Sequence, residues 1–358
     1  MISVDSLQID NMVLIEGHTV PAVKPYKPQM KERNGTELLK HGQLFRGRFE
    51  ILGLIGRGGY GQIYYAKDMT IGTEIVIKCE PPMRKGSLTK RMFLEQKILY
   101  RLQGRPHVPM MVGSGHTDKM NYIIMHLLGP NIGDLRKRSP VRRLSASTVS
   151  RIIVQGVAAL RDVHTLGYIH RDVKPANMCF GITQNTRHVL KLVDYGLVRR
   201  FKNDDGSRRA ARRSPGFRGT LRYVSPRVHD KQEQCPADDL CSMAYSGMEL
   251  LLISLPWKLY SSKELKSAKQ KLNTGDSPFL QLCGPIYSLF CSAVFSLDYD
   301  DEPDYVALQK VLFEMMGDKK MTDAYDWEEG YRDAVTEKTA ASIDYSQTIV
   351  PRNEIRIW

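Results

Sequence analysis

The sequence predicts an α+β fold of two lobes, a small strand-rich lobe followed by a larger helical one. Short β-branched segments separated by glycines fill the chain from about residue 44 to 128, whereas segments of helical periodicity prevail from 129 to 330. A length of 358 residues suits one large domain of this kind. With 42% hydrophobic and 25% charged residues, the composition is that of an ordinary globular protein.

The first lobe is predicted to contain four strands and one helix. Two strand candidates flank a glycine cluster, a third ends near a lysine, and a helix leads to a buried strand. In chain order these are the strands 49–55, 62–66 and 74–79, the helix 90–102 and the strand 122–127.

The second lobe begins at about residue 129 and is predicted to contain three long helices, at 146–164, 238–255 and 306–316. We expect residues 1–43, with three prolines before a polar stretch, to form a weakly structured extension. The tail 331–358 is polar with little periodicity, so we expect it to pack loosely.

No signal peptide or membrane span is predicted. No apolar run approaches the ~20 residues that cross a bilayer, and the acidic start Met1–Asp10 does not resemble a secretory signal. The six cysteines form no CxxC pair, which favours buried free thiols in a reducing compartment, the cytoplasm and also the nucleus. We expect a monomer with no membrane partner.

A glycine cluster suggests a phosphate-binding hairpin. Gly56, Gly58 and Gly61 have G-x-G-x-x-G spacing, and glycine lets a backbone approach phosphates closely. A strand follows the cluster, whereas a dinucleotide-binding fold would place a helix there. An ordinary glycine-rich turn stays open for this segment alone. Lys78 ends the next strand and Glu95 lies on the helix, where either could also be a surface residue.

The segment His170–Asn177 resembles the catalytic loop of serine/threonine protein kinases, with lysine two places after the aspartate. The resemblance implies that Asp172 accepts or orients the substrate hydroxyl and that Lys174 neutralises the transferred phosphoryl group. Asn177 and Asp194, which opens the turn Asp194-Tyr195-Gly196, would bind Mg²⁺. Lys78, held by Glu95, would contact the phosphates of ATP. The implied ATP-binding residues are Ile55, Gly56, Gly58, Gly61, Ile63, Lys78, Met125 and Leu128.

Later segments narrow the resemblance to the casein kinase I superfamily. Gly219–Ser225 is similar to its G-T-x-R-Y-x-S segment, and the preceding Gly216-Phe217-Arg218 is more like the tau-tubulin kinase branch. The resemblance covers about residues 44–330. Five further segments agree with it: 127–130, 238–240, 255–257, 303–305 and 326–328. The implied activity is transfer of the γ-phosphate of Mg-ATP to Ser/Thr hydroxyls.

Four positions depart from the family pattern. Val76 replaces a small alanine above the adenine, and His126 stands where a hinge glutamate is common. Tyr195 adds a hydroxyl that needs a partner if it is buried, and Ser225-Pro226-Arg227 differs from the usual S-I-N. Val76 and the altered Ser225-Pro226-Arg227 motivate the alternative of a pseudokinase scaffold that binds acidic partners.

The net charge of +13 is concentrated in two clusters, at residues 136–143 and 199–213. Such clusters indicate an anionic partner without identifying it. The resemblance implies that Arg222, with Thr220, forms an anion site for an acidic or already phosphorylated substrate, since arginine pairs well with phosphate. A polyanion surface for microtubules or nucleic acid is the competing use, and of these two we expect the substrate role.

Overall fold

The computed structural model describes residues 27–30, 36–58, 61–84, 87–88, 91–139, 141–275, 277–328 and 356–357. The tip of the glycine cluster, Gly59 and Tyr60, and the predicted helix start at Lys90 lie outside these residues. So do most of the 1–43 extension and nearly all of the 331–358 tail. The division of the chain at residues 43 and 330 therefore stays a prediction.

A twisted antiparallel sheet forms the first lobe, as predicted. Alternating burial along its strands places one face on a hydrophobic cluster that includes Phe49, Ile51 and Ile77. The strands are β1 Leu44–Phe45, β2 Phe49–Gly58, β3 Gly61–Asp68, β4 Glu74–Glu80, the hairpin β5 Met83–Arg84 and β6 Ser87–Leu88, β7 Met111–His116, β8 Asn121–His126 and, at the other end of the chain, β13 Arg356–Ile357. Their order in the sheet is β1-β2-β3-β4-β8-β7, and the short strand β13 pairs with β7 in parallel.

The chain just before the sheet packs on it. Leu39 is 1% exposed and belongs to the same hydrophobic cluster. The backbone N–H of Leu38 donates to Gln62 Oε1 at 3.0 Å and to the Tyr64 hydroxyl at 2.9 Å. The described residues just before position 44 thus contribute to the core of the first lobe.

Helix α1, Arg91–Leu102, joins the two lobes. Its buried side chains Met92 and Leu99 pack in one cluster with Ile123 of the sheet and with Val163 and Tyr195 of the second lobe. A helix that shares a core with both lobes couples their relative positions, because packed side chains move together.

The second lobe is helical around a central buried helix. The elements are α2 Ile132–Arg138, α3 Ala146–Thr165, β9 Tyr168–Ile169, β10 Met178–Phe180, β11 Leu190–Leu192, β12 Arg199–Arg200, α4 Pro226–His229, α5 Pro236–Leu251, α6 Ser262–Asn273, α7 Pro278–Gln281, α8 Pro285–Phe295 and α9 Tyr305–Met315. Helix α3 is buried along nearly its whole length and packs on α5, α9 and strand β11. Strands β9 with β12 and β10 with β11 form two small two-stranded ribbons.

The predicted bounds of α3 are close to the observed ones, but the prediction for α5 was wrong at its end. Helix α5 stops at Leu251, and Leu252 is already extended. A proline at 256 disfavours helical backbone at Leu255, the predicted last residue of this helix. Pro236 starts the helix two residues before the prediction, at a position where its missing N–H costs no hydrogen bond.

The closing segment of the domain caps the central helix. The Ser145 side chain accepts a hydrogen bond from the backbone N–H of Thr148, one of the first-turn N–H groups of α3 that have no partner within the helix. Asp326 accepts hydrogen bonds from the hydroxyls of Ser145 at 2.7 Å and Thr148 at 2.6 Å, which also places a negative charge at the helix N-terminus.

In the described ranges, no helix is long and apolar enough to cross a membrane.

Candidate active site

Lys78 on strand β4 lies between two carboxylates. Its Nζ donates to Glu95 Oε1 at 2.7 Å and Oε2 at 2.9 Å, and to Asp194 Oδ1 at 3.0 Å. Burial alone would lower the pKa of Lys78, but Glu95 and Asp194 raise it above its usual range. The structure thus brings together the lysine, the helix glutamate and the metal aspartate predicted from the sequence.

A second cation, Arg91 on helix α1, approaches the same aspartate. Its NH2 lies 3.4 Å from Asp194 Oδ1, and its guanidinium packs so closely on Gly196 that a Cβ there would lie 2.2 Å from Nε. Burial alone would raise the pKa of Asp194, but Lys78 and then Arg91 hold it well below its usual range. The sequence analysis missed Arg91, although it precedes Glu95 by four residues and therefore shares its helix face.

The catalytic loop places Asp172 in a network of hydrogen bonds. Lys174 Nζ donates to Asp172 Oδ2 at 2.7 Å, and Thr220 Oγ1 donates to Asp172 Oδ1 at 2.6 Å. Lys174 also donates to Thr220 Oγ1 at 2.9 Å, which closes a triangle. Thr220, predicted for the anion site, therefore contacts both members of the predicted catalytic pair.

Asn177 lies on the other side of Asp172. Its amide nitrogen donates to the Asp172 backbone oxygen at 2.8 Å and to Oδ2 at 3.2 Å. The amide oxygen forms no hydrogen bond within the described residues, so it is available as an oxygen ligand beside Asp194. Both residues line the same cleft.

A buried carboxylate that the sequence analysis did not assign holds the catalytic loop. Asp239 of α5 accepts the backbone N–H groups of His170 at 2.6 Å and Arg171 at 2.8 Å, and it also bonds His164 Nε2 at 2.9 Å. Arg171 has a φ of 68°, an uncommon conformation for a side-chain-bearing residue, and Asp239 stabilises it through these bonds. The loop geometry is thus built into the core of the second lobe.

A cleft of about 890 Å³ separates the lobes next to these groups. Val76, His126 and most of the predicted ATP-binding residues line it; Gly56 packs against Ile63 instead. Gly61 tolerates no side chain, because a Cβ would lie 2.3 Å from the Cys79 carbonyl oxygen. The predicted residues that line the cleft are Ile55, Gly58, Gly61, Ile63, Lys78, Met125 and Leu128.

Tyr195 is buried, with 1% of its surface exposed. Its ring packs edge-to-face with the His170 ring, and the two ring centroids lie 5.1 Å apart. Burial raises the pKa of its hydroxyl far above the usual range, and the nearby charges of Asp162 and Glu95 raise it further. The tyrosine therefore packs as a neutral ring that connects the metal-binding turn to helix α1.

Arg222, the other residue predicted for the anion site, lies near the start of α4 and is half-exposed. Its NH1 lies 3.1 Å from Glu249 Oε1, and Arg136 NH2 lies 3.6 Å from the same oxygen. The Tyr223 hydroxyl donates to the second oxygen of Glu249. Two arginines thus share one buried carboxylate, which leaves a positive charge facing outward.

The basic cluster at 199–213 is largely neutralised within the fold. Arg199 and Arg212 both pair with Glu233, and Lys202 lies 2.8 Å from Glu302. In the described part of the chain, three exposed arginines of this region form no ion pair with a carboxylate: Arg209, Arg213 and Arg218.

Comparison with known proteins identifies the family. Residues 49–285 match the protein kinase domain. Over 294 residues, 81% of this chain and 86% of the relative, the sequence is 44% identical to a Caenorhabditis elegans protein provisionally named casein kinase I. A Dictyostelium discoideum protein, provisionally named a serine/threonine-protein kinase, is 36% identical over 80% of this chain and 58% of its own length. The C. elegans serine/threonine-protein kinase spe-6 is 29% identical over 80% of this chain and 76% of its own.

The matched residues contain Lys78, the glycine cluster, the catalytic loop and Asp194. The two-lobed α+β fold predicted from the sequence is confirmed by this match. The chain therefore belongs to the protein kinase family, as a serine/threonine kinase of the casein kinase I-like type.

Proposed function

We propose that this kinase transfers the γ-phosphate of Mg-ATP to serine or threonine residues that lie in acidic or already phosphorylated segments. The single observation that carries the substrate class is the pair of arginines, Arg136 and Arg222, on one buried carboxylate, Glu249. The tau-tubulin kinase branch, suggested by Gly216-Phe217-Arg218, is part of the same proposal.

The charge balance of the site supports the use of magnesium. Three cations and three carboxylates already compensate one another there, so the negative charges of a triphosphate need further cations. Within the described ranges no three His, Cys, Asp or Glu side chains converge as a metal cage. One carboxylate and one amide, Asp194 and Asn177, fit Mg²⁺, which is commonly held by few protein ligands together with phosphates. Bound Mg²⁺ would neutralise charge on the phosphates. The six charged groups are Lys78, Arg91 and Lys174 with Glu95, Asp172 and Asp194.

The protein's own contribution is positioning and charge. Asp172, held on both sides, would orient the incoming hydroxyl and accept its proton. Lys174 Nζ, 2.7 Å from that carboxylate, would stand beside the transferred group. Lys78 would hold the phosphates of the nucleotide in the cleft.

The surface around Arg136 and Arg222 is basic. Arg142 and Arg143 are exposed next to Arg136, and Arg222 is half-exposed. Because Glu249 compensates only one of its two arginines, an additional anion would restore neutrality there. A phosphate or carboxylate on the substrate would supply that anion.

The test compares two peptides that share one acceptor serine and differ only in a phosphoserine or an alanine at a nearby position. We expect wild-type protein to show the higher kcat/KM on the phosphorylated peptide. Arg222→Gln should lower that preference about tenfold, the value of one charge-assisted hydrogen bond. Lys137→Ala, which removes an exposed lysine of the basic cluster 136–143, should retain the preference for the phosphorylated peptide. Equal kcat/KM of wild-type protein for both peptides would refute the substrate class.

We place this activity in a reducing compartment, the cytoplasm or nucleus. All six cysteines are free, and five are fully buried. Burial raises the pKa of the Cys179 thiol to about 12, which makes it a poor nucleophile. Fractionation of cells that express the full chain would test the location.

A further inference from the structure

Glu233, between α4 and α5, is a buried carboxylate outside the cleft with an unusually complete set of partners. Arg212 donates to it from Nε at 2.7 Å, from NH2 at 2.9 Å and from its backbone N–H at 3.1 Å. Arg199 Nε donates at 3.0 Å. The glutamate side chain is 6% exposed, whereas Glu302, which pairs with Lys202 in the same region, is 65% exposed. Exposed ion pairs contribute little to stability, so the buried ion pairs of Glu233 are the ones expected to matter in this region.

Glu233 compensates a concentration of positive charge next to the catalytic loop. Burial, together with the charges of Arg199, Arg212 and Arg218, lowers the pKa of Arg171 to about 10, although Asp239 opposes this shift. Burial alone would raise the pKa of Glu233, but its bonds to Arg212 and the charge of Arg199 bring it to about 2. Without this carboxylate, the positive charges of Arg171, Arg199, Arg212 and Arg218 would repel one another more strongly.

Both partners of Glu233, Arg199 and Arg212, belong to the segment 199–220, which runs from β12 to Thr220. Arg199 belongs to β12, whose partner strand β9 includes Ile169, the residue before the catalytic loop. At the other end, Gly219 packs so closely on the loop that a Cβ would lie 2.7 Å from the Arg171 carbonyl oxygen. The next residue is Thr220, which donates to Asp172. The position of this segment therefore affects the geometry of Asp172.

We infer that Glu233 is a positioning residue, an internal anion that holds the segment 199–220 against the catalytic loop and keeps it in a catalytically ordered arrangement without an added phosphate. The site it fills has the chemistry of an oxyanion pocket, because Arg199 and Arg212 supply several N–H donors to it. Removal of the carboxylate should therefore create a site for a free tetrahedral anion.

The experiment compares wild-type protein with Glu233→Ala, Glu233→Asp and, as a matched surface control, Glu302→Ala. Steady-state kinetics are measured in sodium chloride and in sodium sulfate of equal ionic strength, and thermal denaturation is followed in both salts. We expect Glu233→Ala to lose at least about tenfold in kcat in chloride, with KM for ATP within about threefold. Sulfate should restore much of the lost kcat and raise the Tm of this variant selectively. Glu233→Asp should retain intermediate activity, and Glu302→Ala should match wild-type protein in both salts.

Two outcomes would overturn the inference. One is wild-type kcat for Glu233→Ala in chloride. The other is a loss of kcat with no sulfate-specific recovery in kcat or Tm, since a merely structural role would produce that loss. The inference depends on kinase activity but not on the substrate class. If wild-type protein were inactive on the chosen peptide, the proposed substrate class would fail, while the selective effect of sulfate on the Tm of Glu233→Ala would still decide the role of Glu233.

Discussion

Replacement of Thr220 by valine would remove one hydroxyl from the centre of the catalytic network and preserve the shape of the side chain. In the structure, this hydroxyl donates to Asp172 Oδ1 at 2.6 Å and accepts from Lys174 Nζ at 2.9 Å. Asp172 would keep its bonds to Lys174 and Asn177 through Oδ2. The carboxylate would then be held from one side only.

The expected cost follows from the charges involved. A hydrogen bond to a charged group contributes ~1.5–3 kcal/mol, and each 1.36 kcal/mol of transition-state stabilisation is a factor of ten in rate. Loss of the bond to Asp172 should therefore lower kcat about 10- to 100-fold. Thr220 does not line the nucleotide cleft, so KM for ATP should change by less than about threefold.

The assay is steady-state phosphorylation of one peptide by wild-type protein, Thr220→Val and Thr220→Ser at varied ATP. Serine restores the hydroxyl without the methyl group, and its kcat should return to within a few-fold of wild type. Wild-type kcat in Thr220→Val would refute the positioning role. Equal loss in both variants would also refute it, because the loss would then come from the methyl group.

Three further outcomes are expected. Asp172→Asn should abolish phosphate transfer to casein with Mg-ATP. If the variant and wild-type protein incorporated equal label, the catalytic role of Asp172 would be contradicted. Lys78→Met should also abolish transfer, and full activity would contradict its phosphate role. Burial lowers the pKa of His107 to about 4, and its Nδ1 lies 2.9 Å from the Leu190 carbonyl oxygen. The unfolded chain therefore binds a proton that the folded chain excludes, so His107 should contribute a fall of ~3 kcal/mol in unfolding free energy from pH 6.5 to 4. His107→Asn keeps an N–H donor without titrating and should show a shallower fall in chemical denaturation; an unchanged pH slope would contradict this account.

The catalytic residues could be predicted because their chemistry fixes both residue type and spacing. Asp172, Lys174 and Asn177 act from one short loop, so their pattern is visible locally. Lys78 and Glu95 were predicted as partners across 17 residues, and the structure places them in contact. The four predicted strands and the helices α1, α3 and α9 followed from periodicity, whereas strand β7 and helices such as α2, α6 and α8 were not predicted, and α5 ends four residues before its predicted end.

The contacts that organise this loop could not be predicted, because they join residues distant in sequence. Thr220 and Asp172 lie 48 residues apart, and Arg91 and Asp194 lie 103 apart. Glu233 follows the basic cluster as an ordinary polar residue, and no local pattern distinguishes it from a surface glutamate. Only packing of the chain brings each carboxylate to its arginine or hydroxyl.

The anchoring of the catalytic loop by Asp239 has a consequence for local fluctuations. The amide protons of His170 and Arg171 are bonded to a carboxylate on a buried helix, so they can exchange with solvent only when the loop separates from that helix. Such opening would break the core of the second lobe, whereas the sheet of the first lobe could still open locally without it. We therefore expect these two amides to exchange as slowly as the helical core, so that the catalytic loop belongs to the most stable cooperative unit of the protein.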